Sequence, residues 1–325
     1  MGGELAPDAV VQGATIALKK FLNLKFNIYG DKRKILSLLK NEKDYLDSIN
    51  IIHTKNTISD EEKPTLAFRR SKKSSMFMAI KSVQDNECDA IVSSGNTGAL
   101  MVISTLLIKT MKNIDRPAIA SLFPTTKSET LMLDLGANIN CTVKNIFDFA
   151  IMGNTYAKNV LGIQKPRVGL LNVGSEVLKG NELVQNAANK LRKYKNINFC
   201  GFVEGNDMPK GIVDVVVTDG FTGNIALKIA EGTADLYTDF LKSSFKDNFF
   251  SRLSYIVSYP IFKSLWNRVN PSKYNGAMLL GLNGIVVKSH GRSDKYGFAN
   301  AIGVAHDLCL NKYNDKINND IKKVS

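Results

Sequence analysis

Short runs of Val, Ile and Leu alternate along the chain with longer stretches in which apolar residues recur every three or four positions. The runs Lys25–Tyr29, Ser48–Ile52, Asp89–Ser93, Ala118–Leu122, Leu131–Leu135, Arg167–Asn172, Ile197–Gly201, Val213–Thr218 and Gly284–Lys288 predict strands. Several are almost continuously apolar, the pattern of parallel strands covered on both faces. Helices are predicted to begin near Asp31, Ser74, Thr97, Val143, Asn181, Gly223 and Asp294. Alternation at this spacing predicts a three-layer α/β/α fold, a doubly wound and mostly parallel sheet with right-handed crossovers. No repeat and no Pro- or Ser-rich linker divides residues 1–325, so one domain is expected. From Asn311 onward Lys, Asn and Asp dominate, and a frayed helix end or tail is expected there.

One segment breaks the alternation. Between Phe240 and Trp266 lie 8 of the 27 aromatic residues. Leu241, Phe245, Phe249, Leu253 and Val257 recur every four residues and make one apolar helix face, with Lys242, Lys246 and Arg252 beside it. Pro260 ends or kinks this helix, and Ile261, Leu265 and Val269 carry a second apolar face. A helical hairpin inserted at about 240–270 is expected. It has two readings: a packing or dimer element, or a helix pair lying on a bilayer surface.

Composition changes this picture little. The chain is 44% hydrophobic and 22% charged, as ordinary globular proteins are. No stretch approaches the ~18 apolar residues of a membrane span, and no signal-peptide pattern opens the chain. The formal charge of +13 suggests an acidic partner. However, 34 of the 43 basic residues are Lys, and 31 Asn accompany them, a bias that AT-rich coding places on solvated surface. Cys88, Cys141, Cys200 and Cys309 are scattered without metal-ligand spacing, as are the three His, so reduced structural cysteines and no metal are expected.

Chemistry concentrates in polar, glycine-containing turns that follow predicted strands. They are Ser93–Gly98, Asp134–Asn138, Asn172–Glu176, Asp219–Asn224 and His290–Asp294. Ligands of open α/β sheets bind outside the carboxyl ends of strands, where backbone N–H groups and helix N-termini favour anions. A phosphate- or carboxylate-binding crevice is therefore expected. No two glycines are separated by one residue, no Gly precedes Lys, and G-x-S-x-G is absent. Dinucleotide dehydrogenases, P-loop NTPases and α/β serine hydrolases thereby lose support. Lys179, just after one turn, is either a solvated lysine or a cation for a phosphate or developing oxyanion. The run Arg69, Arg70, Lys72 and Lys73 before Ser74 is either a solvated helix start or a contact for an acidic partner.

Five segments together carry a resemblance: Ser93–Met101, Leu133–Asn138, Lys179–Glu182, Asp219–Asn224 and Gly276–Gly281. In order and spacing they resemble the bacterial phosphate acyltransferase family, acyl-carrier-protein:phosphate transacylases of phospholipid synthesis. The resemblance spans Met1 to Ala301. It implies transfer of a long fatty acyl group from acyl carrier protein to inorganic phosphate, without metal or organic cofactor. It also implies a homodimer related in fold to phosphate acetyltransferases. In site terms it implies Lys179, Asn224 and Asp219 as catalytic. Ser94, Gly95, Asn96, Thr97, Gly98, Asp134, Asn138, Asn181, Thr222 and Gly223 are then implied to bind phosphate and substrate.

Two features depart from the family pattern. The family begins with a short apolar strand ending in Asp-Ala before Met-Gly-Gly-Asp, whereas this chain starts at Met1 and has Glu4. A sheet short of one strand and one acidic residue is the expectation. The turn after Val173 has Ser175-Glu176 where two acids are usual.

Within this reading Arg69, Arg70, Lys72 and Lys73 become the landing site for acyl carrier protein. Phe245, Phe249, Leu253 and Val257 become a membrane contact from which acyl phosphate reaches a membrane glycerol-3-phosphate acyltransferase. The protein is then cytoplasmic and peripherally membrane-associated. The chemistry requires a phosphate cradle, donors for a tetrahedral oxyanion, and exclusion of water. Rival readings are a phosphate acetyltransferase-like enzyme using acyl-CoA, an isocitrate-type dehydrogenase, and a basic membrane or nucleic-acid scaffold. No nucleic-acid-binding motif supports the last.

Overall fold

The structure is a computed structural model. It describes residues 1–322 apart from positions 22, 41, 60, 63–71, 246–249, 251–253, 256, 261–262 and 264–270, with backbone only at 43 and 271.

Alternation along the strands explains the layering. In β5 (Glu129–Leu133), Leu131 and Leu133 enter one core while Met132 enters the other. In β8 (Val215–Val217), Val215 and Val217 are likewise divided from Val216. Where both faces are buried a strand must be apolar, which is how Leu131–Leu133 and Val215–Val217 read in the sequence. The eight-stranded sheet has the order β3 (Ala90–Ser93), β10 (Ile285–Lys288), β9 (Ala277–Leu280), β4 (Ala118–Pro124), β5, β8, β6 (Arg167–Leu171), β7 (Asn198–Val203). A separate parallel pair joins β1 (Phe26–Gly30) to β2 (Ile49–His53).

The sheet is mixed and mostly parallel, and its centre decides where the turns go. β3 and β10 run parallel, as do β5, β8, β6 and β7. Between these blocks β10–β9, β9–β4 and β4–β5 are antiparallel. The carboxyl ends of β3 and β10 therefore lie at one edge of the sheet, and those of β5, β6 and β8 at the other.

Helices cover both faces. The larger core gathers residues of α5 (Val143–Asn159), α6 (Glu182–Lys193), α8 (Lys295–Leu310) and α9 (Tyr313–Lys322). The second lies under α3 (Ser75–Gln84) and α4 (Thr97–Leu107), with Ala226 and Leu227 of α7 (Gly220–Ser244) against it. A third joins α1 (Asp8–Lys20), β1, β2 and α2 (Lys32–Leu38) to α8 through Phe298 and Ile302.

Two sequence expectations need correction. The residues from Asn311 are not a frayed tail: α9 is a helix whose Tyr313, Ile317 and Ile321 are buried. Their i, i+4, i+8 spacing makes a narrow apolar stripe inside a polar sequence. Tyr313 donates to the Met152 carbonyl at 3.2 Å, and Thr155 donates to Asp320 at 2.9 Å. Second, α7 starts at Gly220 rather than near Gly223. β9 and α1 were not predicted at all.

Of the predicted hairpin, Leu241 belongs to α7, while Phe249 and Leu253 lie outside the described residues. The rings of Phe245 and Tyr255 are 5.3 Å apart.

Candidate active site

Three turns leave the carboxyl ends of the neighbouring strands β5, β8 and β6, and the first two pack on each other. Asp134, the first residue after β5, is fully buried, and its carboxylate takes four donors. These are the backbone N–H groups of Ile119, Ala137 and Asn138, at 3.0, 3.0 and 2.7 Å, and the Asn138 amide at 2.9 Å. Burial pushes its pKa above the ordinary value while these hydrogen bonds pull it down. Asn138 spends its second N–H on the Pro117 carbonyl at 2.8 Å. Both side chains shape the turn, and neither turns a donor outward.

The β8 turn packs directly on this scaffold. Gly220 N–H donates to the Asn138 carbonyl at 2.8 Å. A Cβ on Gly220 would meet Asn138 backbone, and one on Gly223 would overlap the Asp134 carbonyl. Glycine at both positions is therefore a packing requirement of the junction. Asp219 caps α7, accepting from Thr222 N–H at 2.9 Å and the Thr222 hydroxyl at 2.8 Å. Asn224, on the first turn of α7 beside Gly136, is exposed, and its amide has no hydrogen-bond partner among the described residues.

The β6 turn adds the cation. Asn172 donates to the carbonyls of Gly174 and Lys179, both at 3.1 Å, and closes a loop. Gln185 donates to the Leu178 carbonyl at 2.8 Å, and Asn181 caps α6 by accepting from Val184 N–H at 3.0 Å. The backbone around Lys179 is held from both sides, while its side chain is exposed and its ammonium makes no ion pair among the described residues. An unpaired ammonium thus stands just before the start of α6, and an unpaired amide on the first turn of α7, the helix that follows the strand next to β6.

The β3 and β10 turns form a second group at the opposite edge. Ser94 donates to the Gly2 carbonyl at 2.7 Å, and Gly95 N–H donates to Ser93 Oγ at 3.3 Å. Asn96 caps α4, accepting from Ala99 N–H at 2.9 Å, and donates to the Ser59 carbonyl at 3.1 Å. Thr97 is exposed and Gly98 half-buried. Lys288, buried at the end of β10, donates to the carbonyls of Ser94 and Ser289. Asn275 donates to Ser289 Oγ, Ser293 Oγ and the Gly297 carbonyl at 2.8, 3.0 and 2.7 Å, and accepts from His290 N–H at 2.8 Å. Arg292 pairs with Glu4 at 2.9 Å.

Burial lowers the His290 pKa. Glu231 opposes that shift, and Lys228, Lys288 and Arg292 reinforce it. Because Lys228 and Glu231 sit on α7, this helix carries charge from the first group of turns towards the second. Lys288 was missed in the sequence; its only signal was a charge closing the apolar run of β10.

Of the basic run, Lys72 and Lys73 are exposed, while Arg69 and Arg70 lie outside the described residues. Ser74 caps α3, accepting from Phe77 N–H at 3.2 Å. Phe245 is half-buried and Val257 is exposed. No group of three or more His, Cys, Asp or Glu among the described residues is arranged to hold a metal ion.

The family profile described as fatty acid synthesis protein matches residues 1–316. The chain is 50% identical to a phosphate acyltransferase of Paramagnetospirillum magneticum, over all of this chain and 93% of that one. It is 48% identical to a phosphate acyltransferase of Rhodospirillum centenum, over all of this chain and 92% of that one. Among solved structures, a phosphotransacetylase from Streptococcus pyogenes superposes with a TM-score of 0.61 at 18% identity, covering 94% of this chain and 92% of its own. The EutD phosphotransacetylase from Staphylococcus aureus gives 0.58 at 16%, covering 93% and 92%. At these identities the two structures show a shared α/β fold.

Proposed function

Because the chain belongs to the fatty acid synthesis protein family, with phosphate acyltransferases as full-length relatives at 48–50% identity, we propose that it transfers a long-chain fatty acyl group from acyl carrier protein to inorganic phosphate. The product is an acyl phosphate for phospholipid synthesis. The observation that carries this reading is that the ammonium of Lys179 and the amide of Asn224 both stand without an internal partner among the described residues, on the turns that follow the paired strands β6 and β8, while Asp134 and Asp219 are taken up by internal donors.

Phosphate near neutral pH is already an anion, so it needs charge relief and positioning more than a strong base. A phosphate oxygen attacks the thioester carbonyl, a C–O bond forms, and negative charge collects on the carbonyl oxygen. Lys179 and Asn224 donate to the phosphate and that oxyanion. Collapse breaks the C–S bond and releases thiolate, whose thiol reference pKa of ~8.5 demands little from a general acid. Asp219, Thr222, Gly223 and Asn181 shape the cradle, and Asp134 and Asn138 hold it from beneath. Ser94, Gly95, Asn96, Thr97 and Gly98 lie at the other edge of the sheet, where the start of α4 is a separate anion-favouring helix end that takes no part in the step at Lys179 and Asn224.

Transfer is direct, without an acyl-enzyme. Cys141, the cysteine beside this cluster, has its thiol pushed up to about 11, chiefly by burial and then by Asp134, so it stays protonated at neutral pH.

The partners follow the same chemistry. Acidic acyl carrier protein lands on Arg69, Arg70, Lys72 and Lys73. Two copies of the chain associate through the exposed stripe Ile229, Leu236, Tyr237, Phe240 and Leu241 of α7. Phe245, Phe249, Leu253 and Val257 touch a bilayer, where a membrane glycerol-3-phosphate acyltransferase consumes the product. The protein is thus cytoplasmic and peripheral. No described helix is long and apolar enough to cross a membrane.

The decisive experiment incubates the protein with phosphate and palmitoyl acyl carrier protein and traps product with hydroxylamine. Hydroxamate that requires all three components is expected. Faster product formation from palmitoyl-CoA would replace the donor, and no product from either would remove the reading. For the membrane contact, replacing Phe249 and Leu253 with Glu should release the protein from anionic vesicles while catalysis persists; undiminished vesicle binding would favour a packing role.

A further inference from the structure

The turns that hold Lys179 and Asn224 also carry large apolar side chains that belong to none of the three cores. Ile139, Val173, Val177, Leu178 and Phe221 are 67%, 82%, 65%, 88% and 58% exposed. Ile139 follows the β5 turn, Val173, Val177 and Leu178 occupy the β6 turn, and Phe221 opens α7 after β8. A single exposed aliphatic residue is ordinary. Five on the turns that follow the adjacent strands β5, β8 and β6, two of which also carry Asn224 and Lys179, expose apolar surface that water disfavours.

Their arrangement matches an amphipathic molecule. Val177 and Leu178 immediately precede Lys179, and Phe221 stands one helical turn before Asn224. An anionic end bound at Lys179 and Asn224 leaves its alkyl tail over these side chains. The loop is also held open from behind. Asn172 and Gln185 fix the backbone carbonyls of Gly174, Leu178 and Lys179, so Val177 and Leu178 are presented rather than folded inward.

We propose that Ile139, Val173, Val177, Leu178 and Phe221 form the platform on which the alkyl chain of the acyl donor and product rests, and that they set the preference for chain length. This rests on the acyl-transfer reading, and it adds residues that act on the tail rather than on the reacting carbonyl. Charge complementarity commits the platform to this occupant: a second protein copy would bury apolar surface without needing an unpaired ammonium next to Val177 and Leu178 or an unpaired amide one helical turn after Phe221.

Binding of butyl phosphate and decyl phosphate, measured by calorimetry, tests the platform without turnover. Half-covering each of six added methylenes predicts decyl phosphate about 50-fold tighter than butyl phosphate in the wild type. Replacing both Val177 and Leu178 with Ser should cut that ratio below about 10-fold and leave butyl phosphate affinity unchanged, since both positions are exposed and outside the phosphate contacts. The palmitoyl-to-hexanoyl ratio of kcat/KM should fall in parallel, with the phosphate KM unmoved. Equal affinities in the wild type, or a ratio unmoved by the double substitution, would overturn the platform. An unmoved ratio in a variant that sediments as a smaller species would reassign the patch to a subunit contact. Loss of hydroxamate formation in the wild type strikes the acyl-transfer reading, whereas the alkyl phosphate ratio strikes only the platform.

Discussion

The two edges of the main sheet carry turns of the same composition and opposite character. At the β3/β10 edge almost every polar atom is spent inside the protein. Ser94 bonds Gly2, Lys288 bonds Ser94 and Ser289, Asn275 makes four hydrogen bonds, and Arg292 pairs with Glu4. At the β5/β6/β8 edge the internal bonding is as dense beneath the surface, through Asp134, Asn138 and Asn172, yet it stops short of Lys179 and Asn224. A polar glycine turn therefore becomes a site where its scaffold satisfies itself and leaves particular groups over. Residue type does not separate the two cases, but hydrogen-bond accounting does.

The largest expected effect tests the scaffold of the open edge. Asp134→Ala strands four buried N–H donors and should cost about 4 kcal/mol of stability, read from urea unfolding midpoints. A loss under about 1 kcal/mol would mean that water replaces the carboxylate and that Asp134 is no scaffold. Lys179→Ala and Asn224→Ala come next. Each should lower acyl-phosphate formation by roughly 10²-fold or more, the scale of losing one preorganised donor, with unfolding midpoints near wild type. Wild-type rates in both would abolish the distinction between the edges. At the closed edge, Asn275→Ala should cost about 2 kcal/mol of stability by breaking its four hydrogen bonds, with turnover per folded molecule nearly unchanged. A drop in rate comparable to that of Lys179→Ala would make both edges catalytic.

Much of the fold was legible because the parts of strands buried on both faces must be apolar, as Leu131–Leu133, Val168–Leu171 and Val215–Val217 are. β9 escaped because Ala277–Leu280 lies between Gly276 and Gly281 and looks like a turn motif. α9 escaped because Tyr313, Ile317 and Ile321 are the only apolar stripe in a tract of Lys, Asn and Asp. For the site, Lys179 and Asn224 stood out by position after strands, but their freedom did not. That depends on which neighbouring polar groups are already paired with one another, as Asn138 is with Pro117 and Asn172 and Gln185 are with the backbone around Lys179. The antiparallel centre, which sends β3 and β10 to the other edge, is a pairing decision made by β9 and β4. No local pattern in the β3 or β10 turns records it.

The smallest effect compares the two ends of the same strands. At their starts, β6 and β8 are clasped by Arg167 and Asp214. The Arg167 guanidinium donates to both carboxylate oxygens, at 3.1 and 2.8 Å, and Arg167 N–H adds a third bond at 2.7 Å. Burial disfavours the ionised carboxylate, but the guanidinium and the N–H outweigh it and hold the Asp214 pKa below the ordinary value of 3.8. A depressed folded pKa means that the native state binds fewer protons than the unfolded chain across that window. The clasp therefore contributes fully above about pH 4, and its contribution is lost as pH falls through the folded pKa. Because Arg167 is partly solvated, Asp214→Asn should cost only about 1 kcal/mol at pH 7. The difference from wild type should shrink as urea midpoints are followed down to pH 3. A difference that grew with acidity would reverse the sign of the linkage. Loss of acyl-phosphate formation in this variant would place function at the closed starts of β6 and β8 as well as at their open ends.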